Sequence, residues 1–281
     1  MSDGTTIEWA DASWPVTVGC SRISPGCGTA EGGCYAEKMA WRLSHNPATT
    51  QYQGTVRMTD HGPRWTGVVK VNEEVLMEPL HWRKHRRIFI ASMSDLFHDG
   101  VPDEHLDRVF ATVLACEFLD NRQPHTFMAL TKRAARMRAY FSAPPVELLQ
   151  RWAKAADGRI ILDNADVFFS DDLRATPAHH RFVSHEPLLE DLGNVNLQGI
   201  HLAIIGGESG SKSRPCDIDW MRSLVKQCRA QGTAPFVKQT GANRILGGAR
   251  FDPSLAQIRA KKGNVLEELP EDLRVREWCT R

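Results

Sequence analysis

The chain has 281 residues, of which 42% are hydrophobic and 25% are charged, and its formal net charge at pH 7 is +1. These values are ordinary for a globular protein that buries one sizeable core, and they exclude binding to nucleic acid through overall charge. The polar N-terminus has no apolar signal segment, and no apolar run approaches the roughly 18 residues of a membrane span. We therefore expect a cytoplasmic protein, in which thiols stay reduced, with no membrane segment.

Short apolar runs alternate with helical patterns along most of the chain. We predict strands at 16–19, 87–91, 125–130, 159–162, 181–184, 201–205 and 234–238, and helices at 35–43, 102–115, 145–156 and 217–229, with a short helix after Phe169. This alternation favours an α/β fold with a full or partial parallel barrel. We expect a single domain over 1–281, with an insertion at about 44–82 that includes a hairpin strand at 66–71, and a peripheral segment at about 247–281.

Three cysteines fall within fifteen residues, at the end of the first predicted strand. The segment that contains Cys20, Cys27 and Cys34 is rich in Gly, Ser and Pro, which is typical of a loop. Three thiolates leave one metal position open for a reacting ligand, and an iron–sulfur cluster is the natural partner of soft sulfur ligands. The alternatives are buried apolar cysteines, disulfides with one cysteine left over, or a zinc ion with a fourth ligand from elsewhere.

Polar residues recur where the predicted strands end, and ligands of parallel α/β folds bind beyond the carboxyl ends of strands. These candidate binding residues are Ser94, Asp95, Lys132, Glu186, Gly206, Gly207 and Glu208. Each also has an ordinary structural explanation: Asp95 can cap a helix, Lys132 can be a solvated lysine, and the glycines can form a tight turn.

Several segments of the sequence, taken in order, resemble a known family. They are 7–14, 19–20, 24–27, 34–37, 92–98, 130–133, 185–189, 205–210 and 236–239. Together they are similar to a phage- and bacterium-associated family within the radical S-adenosylmethionine (SAM) superfamily, over about residues 7 to 241. The usual superfamily spacing is Cys-x3-Cys-x2-Cys, whereas here Thr29 to Gly32 lengthen the second interval.

The resemblance implies a partial parallel (β/α) barrel of the radical SAM type and two cofactors, a [4Fe–4S] cluster on the three cysteines and SAM on the open iron. Reduction of the cluster would cleave SAM to a 5′-deoxyadenosyl radical. Ser94 and Asp95 would accept from the SAM ammonium, and Lys132 would pair with its carboxylate or with a substrate anion.

Four further residues are candidates for contact with a ligand. Glu186 and Glu208 would accept from ribose hydroxyls or from the substrate, and Gly206 with Gly207 would let the backbone approach a ligand closely. The partners implied are a reductant protein of the host and a nucleic acid substrate. No catalytic residue is identified.

Phage members of the resembled family are associated with hypermodification of thymidine in viral DNA, which serves host restriction evasion. The implied activity is that of an isomerase, which converts an amino acid linked to thymidine through its nitrogen to the form linked through its α-carbon. Alternatives are a DNA photoproduct lyase or another radical enzyme that modifies a nucleobase, and a non-catalytic nucleic-acid-binding module held by zinc or a cluster.

Two basic stretches and three aromatic residues could contact a nucleic acid, but each also has a structural explanation. The basic stretches at 82–87 and 132–138 can track phosphates, although a solvated face is the more usual explanation. Trp9, Trp14 and Tyr35 flank the cysteine loop and either pack against it or stack on a base.

Overall fold

The structure is a computed structural model that describes residues 2–3, 5, 7–29, 32–117, 125–156, 180–210, 212–249 and 253–279. Its fold is mixed α/β. The helices are α1 Tyr35–Ser44, α2 Asp103–Glu117, α3 Ala134–Phe141, α4 Pro145–Ala155 and α5 Ile218–Ala230. The strands are β1 Ser2–Asp3, β2 Ala12–Trp14, β3 Thr17–Val18, β4 Gly28–Thr29, β5 Gly32–Gly33, β6 Val56–Thr59, β7 Gly62–Trp65, β8 Lys70–Val71, β9 Arg87–Ile90, β10 Thr126–Ala129, β11 Phe182–His185, β12 Leu202–Gly206, β13 Cys216–Asp217, β14 Ala234–Gln239 and β15 Arg244–Ile245.

The chain divides into two compact units. The first unit comprises residues 1–27 and 34–177, and the second comprises residues 28–33 and 178–281. Small parallel sheets occur in both units, and the described strands form no closed barrel. The single domain that we expect from the sequence stays a prediction.

The first unit is built on a four-stranded sheet in the order β1-β2-β9-β10. Strands β2, β9 and β10 run parallel, and β1 pairs antiparallel with β2. The sheet buries side chains such as Trp14 and Ile88, both 0% exposed, against helices α2, α3 and α4. The predicted strands at 87–91 and 125–130 are therefore confirmed, as are the helices at 102–115 and 145–156.

The strand predicted at 16–19 is present as β3, but the expectation that it belongs to the parallel sheet is wrong. The strand that joins the parallel sheet is β2, which ends at Trp14. Pro15 follows and has no N–H group for a sheet hydrogen bond, so it interrupts the strand. Beyond it, β3 pairs antiparallel with β8, which lies within the predicted hairpin strand at 66–71.

The predicted insertion at 44–82 forms its own small structure in the first unit. Strands β6 and β7 make an antiparallel hairpin, with Val56 opposite Trp65. The segment packs on helix α1 through a small core that includes Ala40, Tyr52 and Val56. Helix α1 itself matches the helix predicted at 35–43.

The second unit is built on a parallel sheet in the order β11-β12-β14. Every residue of the central strand β12 is buried, as expected for a strand covered on both faces. Helix α5 packs against this sheet, and the Asp217 carboxylate caps it by accepting from the Asp219 N–H at 3.0 Å. The strands predicted at 181–184, 201–205 and 234–238 and the helix at 217–229 are confirmed.

The C-terminal segment is less peripheral than its composition suggests. Leu269 and Leu273 are fully buried and join the core of the second unit. The Val237 N–H donates to the Val275 carbonyl at 2.8 Å, and the Glu277 N–H donates to the Pro235 carbonyl at 3.0 Å. These bonds cover the outer edge of β14, which a parallel sheet would otherwise leave open.

Two expectations fall on parts of the chain that the structure does not describe, namely the strand at 159–162 and the short helix after Phe169. Helix α3 is an element that the sequence analysis missed. Among the described helices, none is long and apolar enough to cross a membrane.

Gly19 connects β3 to the cysteine loop in a conformation that requires glycine. Its φ is +90°, and a Cβ atom would lie 2.2 Å from the Val68 carbonyl oxygen. Gly54 has a similar φ of +76°, but no atom lies within 4 Å of the position that a Cβ atom would take there.

We expect Gly19→Ala to lower the free energy of unfolding by about 2–4 kcal/mol, because backbone strain and overpacking add there. Gly54→Ala, which adds strain alone, should cost about 1 kcal/mol. Urea unfolding followed by circular dichroism measures both. Equal losses would contradict the close contact at Gly19.

Candidate functional site

The cysteine loop begins at the carboxyl end of the first unit's parallel sheet. The Gly19 N–H donates to the Met93 carbonyl at 3.2 Å, and the Ser94 hydroxyl donates to the Gly19 carbonyl at 2.5 Å. Both partners lie in the turn that follows β9. The structure therefore places Cys20 directly beside the predicted Ser94-Asp95 turn, with Ser94 occupied in fixing the start of the loop.

Within the lengthened interval between Cys27 and Cys34, the described residues pair as two short antiparallel strands. Gly28 pairs with Gly33, and Thr29 pairs with Gly32. The Cα atoms of residues paired in this way lie about 4.5–5.5 Å apart. The closing pair, Gly28 and Gly33, directly adjoins Cys27 and Cys34 in the chain.

Asp95 is the most heavily bonded carboxylate of the site. It is 5% exposed. One oxygen, Oδ1, accepts from the Phe97 N–H at 3.0 Å and from the Thr131 hydroxyl at 2.6 Å. The other, Oδ2, accepts from the Lys132 N–H and from Arg133 Nη1, each at 3.0 Å. Asp95 thus ties the turn after β9 to the turn after β10.

The Arg133 guanidinium carries this connection to the first cysteine. Nη1 also points at the Cys20 sulfur at 3.9 Å, and Nη2 donates to the Ser21 hydroxyl at 2.7 Å. His98 Nδ1 accepts from the Gly100 N–H at 3.0 Å, which assigns the ring hydrogen to Nε2. Nε2 then donates to the Ser21 hydroxyl at 2.8 Å, so two donors fix the residue after Cys20.

A second buried carboxylate braces the other end of the loop. Glu37, whose side chain is 1% exposed, accepts from Arg22 Nε at 3.0 Å and from Arg22 Nη2 at 2.5 Å. It also accepts from the Trp65 N–H at 3.1 Å. Hydrogen bonding to Glu37 raises the pKa of Arg22, and the thiolate forms of Cys34 and Cys27 raise that pKa further. The Arg22 cation therefore lies within electrostatic range of both thiols.

Burial opposes ionisation of the first and third cysteines. It raises the pKa of Cys20 to about 11, against the opposing charge of Arg133. It also raises the pKa of Cys34, against the N–H groups of Glu37 and Ala36 in the first turn of α1. Without a bound metal, both thiols would stay protonated at neutral pH.

The second cysteine has the opposite balance. Burial raises the pKa of Cys27, but hydrogen bonds from the Ile23 backbone and from Ser24, with the charge of Lys132, together hold it below its usual value. The Lys132 ammonium reaches the loop itself, since a Cβ atom on Gly26 would lie 3.0 Å from Lys132 Nζ. Lys132 is therefore placed against the loop, although its side chain as a whole is exposed.

The donor set fits a cluster by its chemistry. All three thiols are free and only half-buried. Within the described ranges, no three His, Cys, Asp or Glu side chains lie close enough together to hold one metal ion. A [4Fe–4S] cluster differs from a single ion because each thiolate binds a different iron, so its ligands stand apart at separate corners.

The other predicted site residues belong to the second unit. Glu186 Oε1 pairs with the Lys238 ammonium at 3.1 Å, and Glu186 Oε2 accepts from the Ser184 hydroxyl at 3.0 Å. A Cβ atom on Gly206 would lie 2.6 Å from Glu186 Oε1. The structure thus brings Glu186 and Gly206 together, and a Cβ atom on Gly206 would displace the glutamate side chain that covers it.

Gly207 and Glu208 also make close contacts within the second unit. A Cβ atom on Gly207 would lie 2.4 Å from the Thr240 carbonyl oxygen. Glu208 Oε2 accepts from the Arg214 N–H at 3.0 Å and from Arg214 Nε at 2.8 Å. These contacts give both residues a structural role, and their contact with a ligand stays a prediction.

Sequence analysis missed the charged partners of the cysteine loop. Arg133, Glu37 and His98 lie inside the segments that carry the family resemblance, but Arg22 does not. Membership of those segments marks the first three residues as candidates. The sequence does not show which residue each of them contacts in the folded chain.

Comparison with protein-family models assigns the chain to one family. A family model described as "Protein of unknown function (DUF5131)" matches residues 4–270, so the chain belongs to this family. No radical SAM family model matches. No curated protein and no solved structure matches the chain.

Asp95→Ala should strongly destabilise the first unit. It would leave the buried Arg133 cation without a partner, which costs about 3–5 kcal/mol. Asp103 is the matched control, because it pairs with Arg136 in the same unit while its side chain is 48% exposed. Asp103→Ala should cost about 1 kcal/mol or less. Urea unfolding followed by tryptophan fluorescence compares them, and equal losses would show that the Asp95 pair is not a buried brace.

Proposed function

We propose that the chain is a radical SAM enzyme whose Cys20, Cys27 and Cys34 bind a [4Fe–4S] cluster. The observation that carries the proposal is the site itself: three free thiols in one braced loop at the carboxyl end of a parallel sheet. Such a loop is the position at which parallel α/β enzymes bind their ligands. The partial (β/α) barrel belongs to this proposal.

The charges around the loop support an anionic group there. A cluster held by three thiolates carries net negative charge, which increases when the cluster is reduced. Arg133 faces Cys20, Lys132 reaches the loop beside Cys27, and Arg22 lies within range of the two later cysteines. Nearby cations and donors to sulfur stabilise such a cluster and tune its reduction potential.

The bound cluster would supply the electron that cleaves SAM to a 5′-deoxyadenosyl radical. The chain would supply placement. The exposed ammonium of Lys132 is suited to pair with the SAM carboxylate or a substrate anion. Asp95, with four donors already in place, supports this by fixing the Lys132 backbone. For Asp95 and Ser94 to contact the SAM ammonium, one or more of their present hydrogen bonds would have to break.

The substrate part of the proposal rests on the family resemblance alone. We propose a nucleobase in DNA, with the chain acting as an isomerase in phage thymidine hypermodification that moves an amino acid from its nitrogen-linked to its α-carbon-linked form. Glu186, Gly206, Gly207 and Glu208 would then serve the ribose or substrate. A reductant protein of the host and a cytoplasmic location complete the proposal.

Anaerobic reconstitution with iron and sulfide tests the class. We expect on the order of four irons per chain in the wild type, and 5′-deoxyadenosine on addition of SAM and dithionite. Cys20→Ala, Cys27→Ala and Cys34→Ala should each abolish 5′-deoxyadenosine formation.

Cys279→Ala is the control, because Cys279 is also a free, half-buried cysteine but lies near the C-terminus. It should keep the wild-type iron content. A colourless protein that binds zinc and DNA without consuming SAM would contradict the proposal and favour a non-catalytic binding module.

A further inference from the structure

Helix α1 presents a continuous exposed stripe that no described element covers. Tyr35, Lys38, Met39 and Arg42 follow the i, i+3, i+4, i+7 spacing of one helix face, and all four are exposed. Tyr35 is 56% exposed and Met39 is 41% exposed. The opposite side of the helix is buried in the first unit through Ala36, Glu37 and Ala40. We call these four residues the α1 face.

The α1 face is positively charged. Within the described part of the chain, Lys38 and Arg42 form no ion pair, and the acidic residue of the helix, Glu37, is buried against Arg22. Residues 32–71 contain five Lys or Arg and only two acidic residues, while the whole chain has a net charge of +1. The segment that contains this helix is therefore net positive.

The α1 face begins at the third cysteine. Cys34 is the N-cap residue of α1, and Tyr35 follows it directly. The Tyr35 hydroxyl donates to the Ser92 carbonyl at 2.5 Å, in the turn after β9. This bond holds one edge of the ring beside the candidate cluster site, while more than half of the side chain remains open to solvent.

We propose that the α1 face binds single-stranded nucleic acid and leads its bases to the cysteine loop. The inference rests on the proposed function in taking a nucleobase as the substrate. Cations at Lys38 and Arg42 suit successive phosphates, and an exposed tyrosine ring offers a platform on which a base stacks. Alternation of cations with an aromatic and an apolar side chain is the pattern that single-strand binding surfaces use.

The two basic stretches seen in the sequence fit this role less well. Arg83 and Lys84 are exposed, but they precede β9 and so lie at the opposite end of the sheet from the cysteine loop. In the stretch at 132–138, Arg133 is buried against Asp95 and Arg136 pairs with Asp103. The α1 face is the cationic surface that is both exposed and continuous with the third cysteine.

Fluorescence anisotropy with the full-length, iron-reconstituted protein tests this. The probe is a fluorescein-labelled, thymine-rich single strand of about 20 nucleotides, longer than the ~4–16 nucleotides that one such site covers. Binding is measured without SAM or reductant, so that its result does not depend on radical chemistry. The Lys38→Ala/Arg42→Ala variant should bind about tenfold more weakly, and its salt slope should fall by about 1.4, or ~0.7 for each lost phosphate contact.

The matched control is Arg83→Ala/Lys84→Ala, which removes the same two residue types from the far end of the sheet and should bind within about twofold of wild type. Tyr35→Leu should weaken binding about tenfold, whereas Tyr35→Phe, which keeps the ring, should not.

Three outcomes would overturn the proposal. In the first, the control variant weakens binding as much as Lys38→Ala/Arg42→Ala, which would mean diffuse electrostatic attraction. In the second, neither variant changes binding. In the third, Lys38→Ala/Arg42→Ala loses binding to an acidic electron-donor protein such as a flavodoxin while strand binding is unchanged, which would make the α1 face a reductant site.

Discussion

The buried ion pair between Asp95 and Arg133 is the interaction on which the rest of the candidate site depends. Both side chains are less than a tenth exposed, so each charge needs the other to remain buried. Asp95 holds the turns after two neighbouring parallel strands, and Arg133 passes the connection on to Cys20 and Ser21. The position of the first cysteine is thus fixed by charge pairing and not by the Gly-rich loop itself.

Glu37 and Arg22 apply the same principle at the other end of the loop. Their contact joins the segment after the first cysteine to the helix that follows the third. Between these two ion pairs, the residues next to Cys27 and Cys34 pair with each other, with Gly28 opposite Gly33. A site held in this way is preorganised, with cations already in place for an anionic group.

Much of the fold could be predicted from the sequence because its central strands are short, apolar and separated by amphipathic helices. The strand at 16–19 was recognisable from its apolar residues, but its pairing was not, because the parallel pairing belongs to Ala12–Trp14, before Pro15. Helix α3 was missed because its arginines obscure the apolar positions Met137, Tyr140 and Phe141.

The candidate site was predictable only in part. Three cysteines in one polar loop can be recognised from the sequence as a candidate metal site, because such a cluster is uncommon elsewhere. Their supporting partners are not, since Arg133 meets Cys20 across 113 positions of the chain. The sequence does not distinguish a solvated basic residue after a strand from a buried one. Lys132 is exposed, whereas Arg133 is buried in an ion pair with Asp95.

If Cys20, Cys27 and Cys34 bind a cluster and leave one iron open, electron paramagnetic resonance of the dithionite-reduced protein should detect it. We expect the signal of a reduced [4Fe–4S] cluster whose g-values change when SAM is added, because SAM would bind the open iron. A cluster signal that SAM leaves unchanged, or no cluster signal after reconstitution, would contradict the proposal.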